Sequence, residues 1–264
     1  MCWHHNCRYF RNRNYAQIIN KELYLILNLT KMKKGKAADE YYLSLDKVNE
    51  QITSCSQCPR LLQHIRKVRD HRPQRYSGQT YWARPVPSFG DPKARLLIIG
   101  LAPAAHGGNR TGRMFTGDSS GEWLMKAMYE TGFANSPNSV SIDDGLLLSD
   151  AYVTSIVKCA PPMNKPINSE ISNCSSFLRS ELNLLKSSVV VVITLGKMAF
   201  DTFCKLSDVK GLFFKHNSVY QLDSTKTLIV SYHPSRRNTN TGTLTWPMWI
   251  QIFEKAKSII ETKV

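Results

Sequence analysis

Three groups of residues in this sequence could do chemistry. The first is a set of four cysteines. Cys55 and Cys58 enclose two residues, Cys159 follows after 100 intervening positions, and Cys174 after 14 more. A C-x2-C pair lets two thiolates reach one metal from a single turn, and a strand end and a helix turn would carry the other two to it. Four thiolates with no candidate histidine suit either Zn²⁺ or an iron–sulfur cluster, and C-x2-C also serves thiol redox chemistry. Cys2, Cys7 and Cys204 lack a matching spacing, and Cys204, close to Phe200 and Phe203, reads as core. The second group is the stretch from Gly100-Leu101-Ala102-Pro103-Ala104-Ala105-His106-Gly107 to Met114-Phe115-Thr116-Gly117-Asp118. Its glycines and small residues permit close backbone approach to a ligand, and Phe115 could offer a stacking face. It is not a P-loop, because the Gly-Lys-Ser/Thr ending is missing. The third is His233-Pro234-Ser235-Arg236-Arg237, where a histidine ends an apolar run, a proline stiffens the turn and two arginines suit phosphate contacts.

These residues need elements to position them, and the hydrophobic pattern supplies an α/β set. Helices are expected at 39–53, 59–70, 121–131 and 169–186, in a short segment ending at Leu206, and at 247–262. The last carries Met248, Trp249, Ile252, Phe253, Ala256, Ile259 and Ile260 on one face. Strands are expected at 95–101, 151–157, 188–195 and 227–232, with a hairpin at 212–222. Runs that are apolar throughout, separated by helices, imply a parallel sheet covered on both faces. Ligands of such sheets bind outside the carboxyl ends of the strands. The loops at 101–118, 158–168 and 233–245 are therefore the ones to watch.

Charge points to the partner. Of 264 residues, 35 are Lys or Arg and 20 are Asp or Glu, a net charge of +15. Such an excess favours a polyanion, nucleic acid before membrane. Residues 1–36 hold eight Lys or Arg against Glu22 alone and show no clear period. They read as a disordered basic arm or as a translation start placed too early, with Met32 the candidate true start; residues 37–264 read as one domain. The hydrophobic fraction of 42% excludes a mostly disordered chain, and no apolar run approaches the length of a membrane span. The start, Met-Cys-Trp-His-His, has no secretory pattern, so a reducing, cytoplasmic compartment is expected.

Taken together the motifs resemble the uracil-DNA glycosylase superfamily, and within it the iron–sulfur-containing family 5. The cysteine spacing, with Cys159 inside Val-Lys-Cys-Ala-Pro-Pro, matches. So do Gly-Leu-Ala-Pro-Ala-Ala-His-Gly followed by Asn-Arg-Thr-Gly-Arg-Met-Phe-Thr-Gly-Asp, Tyr-His-Pro-Ser-Arg-Arg-Asn-Thr-Asn-Thr-Gly, and Arg84-Pro85-Val86-Pro87-Ser88-Phe89-Gly90-Asp91. Coverage runs from about residue 48 to 262, leaving residues 1–36 outside.

The resemblance implies a three-layer α/β/α sandwich around a four-stranded parallel sheet. It also implies a [4Fe–4S] cluster on Cys55, Cys58, Cys159 and Cys174. The activity it implies is hydrolytic excision of uracil, and of hypoxanthine or modified uracils, from double- and single-stranded DNA by a cytoplasmic, nucleoid-associated monomer. A damaged base would leave the stack and enter a pocket. His233 would stabilise the departing base, and Phe115 would stack on it, with Gly117, His106 and Ser155 as further base contacts. Ser235, Arg236 and Arg237 would hold the DNA backbone. Most superfamily members carry Asp, Asn or Glu where this chain has Ala102, a family 5 feature. The attacking water would then fall to backbone groups of the 102–109 loop, to Asn109 or to His106. Some relatives carry Asn where Ser155 stands, and a short hydroxyl would read the base edge less strictly. A catalytically silent iron–sulfur DNA-binding or redox-sensing protein on the same fold is the alternative.

Overall fold

Four pentapeptides, Leu-Leu-Ile-Ile-Gly, Ala-Tyr-Val-Thr-Ser, Val-Val-Ile-Thr-Leu and Thr-Leu-Ile-Val-Ser, are buried at every position, as strands covered on both faces must be. They are strands β2 (Leu96–Gly100), β3 (Ala151–Ser155), β4 (Val191–Leu195) and β6 (Thr227–Ser231) of a computed structural model that describes residues 36–263, with side chains from Ser44 onward. The reading of residues 1–36 as an arm or a misplaced start lies outside the described residues, apart from Lys36. Two short strands complete the sheet: β1 (Phe89–Gly90) and β5 (Val219–Gln221). The order is β1-β3-β2-β4-β6-β5. The four inner strands pair in parallel and the two edges antiparallel. The sheet is therefore mixed and six-stranded, where a four-stranded parallel one was expected. The hairpin is also displaced from 212–222: β5 and β6 form it, closed by residues 222–226.

Eight α-helices lie among the described residues. They are α1 (Lys36–Thr53), α2 (Pro59–Asp70), α3 (Gly108–Thr111), α4 (Ser119–Glu130), α5 (Asn168–Leu184), α6 (Lys197–Leu206), α7 (Arg236–Asn240) and α8 (Trp246–Thr262). α2 and α8 carry a proline in the first turn, Pro59 and Pro247, where its missing N–H costs nothing. On one face of the sheet, Ile98, Val153, Ile193 and Ile229 pack in a common core with Leu124, Met125 and Met128 of α4 and with Trp249, Ile252, Phe253 and Ala256 of α8. The other face turns Leu97 and Val192 toward α5 and α6, whose Leu182, Phe203 and Leu206 join them around a cavity of about 360 Å³. All four inner strands thus run to the same end of the sheet, and the loops that leave them meet there.

Candidate active site

At that end lies a cavity of about 470 Å³, within the range that holds small ligands. Its walls are the segments that follow three strands. Leu101–Ala104 come after β2, Ser155 and Asn164 from β3 and its loop, and His233, Ser235 and Arg236 after β6. Met114, Phe115 and Asp118–Ser120 close it from the approach to α4.

Two aromatic rings define the interior. Those of Phe115 and His233 lie 6.3 Å apart between centroids and only 28° from parallel. Phe115 takes a left-handed backbone conformation, φ 51°, which its neighbours impose. Arg113 donates from Nε to Thr116 Oγ1 (3.0 Å) and from Nη2 to Ser139 Oγ and Asp144 Oδ2, and Gly117 N–H donates to Ser139 O. Burial pushes the Asp144 carboxyl up, but Arg113 and three backbone N–H groups pull it well below the usual carboxylate range. Gly100 supplies the seat for the ring. A Cβ there would stand 2.8 Å from Phe115 Cζ. Gly100→Ala should therefore leave the fold intact, since the far end of a side chain can swing, while displacing the stacking face. The expected result is an unchanged thermal midpoint, with the base excision that the resemblance implies down roughly 10-fold or more, the scale of one misplaced positioning group; an unchanged rate would show that the ring's seat is immaterial.

His233 is half-buried and has no opposite charge beside it; burial lowers its pKa to about 4, so near neutrality the ring is an uncharged imidazole with one N–H to donate. Its backbone carbonyl accepts from Asn238 Nδ2 (2.9 Å) and from Ser235 N (2.8 Å), which fixes the turn that presents the ring. Ser235 also caps α7. Arg236 reaches the cavity mouth, its Nε donating to Ser119 Oγ, whereas Arg237 is exposed beyond the cavity lining.

Ser155 is buried and its hydroxyl donates to Val157 O at 2.8 Å. A carbonyl can only accept, so the proton of Ser155 is committed and its lone pairs are what remain for a ligand. Asp118 is likewise engaged. Its Oδ1 accepts from Ser120 N and Gly121 N as the N-cap of α4, and burial pushes its carboxyl up against those bonds. Ala102 lines the cavity and brings no polar side chain.

Two expected water ligands stand elsewhere. Asn109 is 0% exposed; the turn of α3 aims its Nδ2 at Ile65 O and Ala105 O, under the motif and away from the cavity lining. His106 accepts from or donates to Tyr81 Oη (2.9 Å) and stacks on Tyr76, again outside the lining. Gly117 acts through its N–H to Ser139 and does not line the cavity. Asn164, missed from the sequence, is exposed and does line it. The signal was a Pro-Pro-Met-Asn-Lys-Pro turn within the 158–168 loop that follows a strand.

The four cysteines are free, Cys159 and Cys174 buried and Cys55 and Cys58 partly so. Burial raises the Cys159 thiol first, and Cys174, Cys55 and Cys58 raise it further. Burial also pushes Cys174 up to about 11, against a hydrogen bond from the Lys158 backbone N–H. The four sulfurs are thus electrostatic neighbours and an all-thiolate donor type, although among the described residues no three His, Cys, Asp or Glu side chains are grouped as around a metal ion. Beside them lies an ion pair absent from the sequence reading. Lys158 and Glu181 have side chains 1% and 0% exposed. Lys158 Nζ donates to both Glu181 oxygens (3.0 and 3.1 Å), to Ser88 Oγ (2.8 Å) and to Thr154 Oγ1 (2.6 Å). Both hydroxyls donate onward to Glu181 at 2.6 Å.

Residues 87–257 match the family model of the uracil DNA glycosylase superfamily. The chain is 46% identical over 205 residues to the type-5 uracil-DNA glycosylase of Pyrobaculum aerophilum, covering 78% of this chain and 88% of that one. It is 43% identical over 210 residues to the type-5 uracil-DNA glycosylase of Thermus thermophilus, covering 79% and 94%. A type-4 uracil-DNA glycosylase of Pyrobaculum aerophilum is 27% identical over 201 residues, covering 73% and 84%. The chain belongs to the uracil-DNA glycosylase superfamily, and within it to the type-5 group.

Proposed function

We propose that this protein excises uracil from DNA by hydrolysing the N-glycosidic bond and leaves an abasic site. The observation that carries the reading is the near-parallel pair of Phe115 and uncharged His233 across a cavity at the strand ends. The flipped base stacks on Phe115, and the His233 N–H meets the negative charge that gathers on the departing uracil. Ser155, with its proton committed to Val157, accepts from a base N–H. Uracil has one at N3 and hypoxanthine one at N1; cytosine presents a bare acceptor at N3. This favours hypoxanthine and uracils modified elsewhere as additional substrates, in duplex or single-stranded DNA.

With Ala102 mute and Asp118 capping a helix, the uncommitted amide on the cavity is Asn164, and it orients the attacking water. Among the lining residues none is lysine, and Lys158 is tied to Glu181, so no amine stands ready to form a Schiff base with the sugar. A uracil-containing oligonucleotide should therefore break only after alkali. Nicking that borohydride traps as a covalent adduct would overturn the hydrolytic reading, and failure to release uracil would overturn the function itself.

The donor chemistry of Cys55, Cys58, Cys159 and Cys174 fits a [4Fe–4S] cluster. Bound there, the cluster supplies a staple between the turn before α2, the exit of β3 and the first half of α5. Purified protein should show broad visible absorbance with matching iron and sulfide, reduced in Cys174→Ala and retained in Cys204→Ala; a colourless zinc protein would refute the assignment. The chain acts as a monomer on nucleoid DNA in the cytoplasm, and among the described residues no helix is long and apolar enough to cross a membrane.

A further inference from the structure

The turn that presents His233 is fixed from its far side, where His233 O accepts from Asn238 Nδ2 and Ser235 N. Its near side depends on how β6 ends. Along a strand the backbone groups of successive residues point to alternate sides. Toward β4, Ser231 O accepts from Gly196 N at 2.8 Å. Toward β5, Val230 donates to Ser218 O at 2.9 Å and accepts from Asn217 N at 2.7 Å. The ladder on that side then stops: Asn217 is left-handed, φ 64°, and Ser218 N turns back to Lys215 O. The next backbone group due on the β5 side is the N–H of Tyr232, the residue before His233. A backbone donor inside a protein must find a partner or cost stability.

A side chain takes that place. Tyr232 N–H donates to His216 Nδ1 at 3.2 Å. Ser231 Oγ, 3.4 Å from the same nitrogen, donates to Tyr232 O at 2.9 Å, so side chains hold both backbone groups of Tyr232. The rings of His216 and Tyr232 also stack, 4.9 Å apart between centroids and 20° from parallel, and Phe214 lies 5.9 Å from Tyr232. His216 is anchored through its neighbour. Asn217 Nδ2 donates to Gln251 Oε1, and Asn217 Oδ1 accepts from Lys255 Nζ, each at 2.7 Å and both on α8. A backbone N–H can only donate, so Nδ1 of His216 carries no proton. Burial favours that neutral ring, the Met248 backbone opposes it, and the Lys255 cation adds to the effect of burial.

We propose that His216 is a positioning residue for uracil excision: its Nδ1 stands in for a strand partner at the Tyr232 N–H and so sets the angle at which His233 enters the cavity. The proposal rests on the reading of His233 as the donor to the departing base. The two contributions of the His216 ring separate chemically. Phenylalanine in its place keeps a ring to stack on Tyr232 and removes the acceptor. Asparagine sheds the ring but sets a carbonyl oxygen where Nδ1 stood. If packing alone mattered, phenylalanine would be the better substitute. If the acceptor matters, asparagine is.

The test compares the full-length protein with His216→Phe and His216→Asn on a uracil-containing duplex. His216→Phe should lose roughly 10-fold or more in single-turnover rate while its DNA dissociation constant stays within about 2-fold of native. His216→Asn should stay within about 3-fold of the native rate. Two NMR measurements read the geometry without activity. The Tyr232 amide should exchange with solvent as slowly as that of Val230 in the native protein and in His216→Asn, and roughly 10-fold or more faster in His216→Phe. The His233 ring should titrate near 4 in the native protein and move toward 6.5 in His216→Phe, as its seat loosens. A Tyr232 amide that exchanges like a loop amide in the native protein overturns the proposal whether or not the variants fold. So does a His216→Asn rate no better than that of His216→Phe. Native protein that releases no uracil while both NMR results hold overturns the underlying reading instead.

Discussion

Replacing His233 with alanine slows single-turnover uracil excision by roughly 10²–10³-fold, the usual scale for removing one donor to developing charge. The ring is held by its backbone, through Asn238 Nδ2 and Ser235 N on His233 O, so the alanine variant keeps its loop. DNA binding should change far less, because Arg236 and the other basic groups remain. The pH profile carries the sharper content. Burial holds His233 near 4 in the folded chain, against 6.5 for an ordinary histidine. The donor therefore stays neutral from about pH 6 to 8, and the rate should show no inflection there that the alanine variant abolishes. Stability follows with a definite sign. As pH falls below about 6.5 the unfolded chain takes up a proton that the folded chain refuses, so this contribution is complete above that pH and is lost on the way down to about 4. A rate that tracks a His233 titration near 6.5, measured by NMR, would sink the assignment of a neutral donor.

Removing the carboxylate of Glu181 costs about 3–5 kcal/mol of folding stability. The pair with Lys158 lies fully inside the protein, and Ser88 and Thr154 saturate its remaining valences. Glu181→Leu would leave an ammonium with two hydroxyls and no counter-charge, in a space too apolar to admit one. The double variant Lys158→Met with Glu181→Leu should recover most of the loss, because a buried ion pair contributes little beyond an apolar pair of similar volume. Urea unfolding monitored by circular dichroism supplies both numbers. A single variant within about 1 kcal/mol of the native protein would mean that the pair is already screened, contrary to its burial. The same network joins β3 and the loop that follows it, where Cys159 lies, to α5, which carries Cys174, and the Lys158 N–H donates to Cys174 Sγ. Visible absorbance in the Glu181 variant would show whether the cysteine set depends on it.

The four inner strands were legible because each is a short run of apolar residues flanked by turn signals. β1 and β5 were not: two and three residues long, with little burial, they exist through ladder hydrogen bonds that leave no hydrophobic trace. The hairpin was expected at 212–222, whose first apolar residues are Leu212, Phe213 and Phe214. Yet Phe214 packs as loop against Phe200 and Tyr232, while Phe213 is exposed. His233, Phe115 and Ser155 all line the cavity because each follows or ends a strand segment, and the parallel topology brings those strand ends together. Asn109 and His106 do not line the cavity, because nearness along a motif is not nearness to a cavity. One turn of helix at Gly108–Thr111 rotates Asn109 toward α2, and Tyr81 draws His106 aside. Asp118, followed by Ser119-Ser120-Gly121, has the signature of the helix cap that it forms.

The strand order carries a consequence for how the chain acquires this site. β2 pairs with β3 and with β4, whose partner residues lie far along the chain, Leu96 with Val191 for example, and β4 pairs next with β6. No segment ending before Thr227 contains the complete sheet, and the covering helix α8 comes last of all. During synthesis the free edge of β4 and the face that α8 covers therefore wait in water for their partners, and such non-local parallel pairing forms slowly and is open to aggregation meanwhile. His233, two residues past the final strand, is made only as that interval draws to its end, so the cavity cannot be complete before the sheet is.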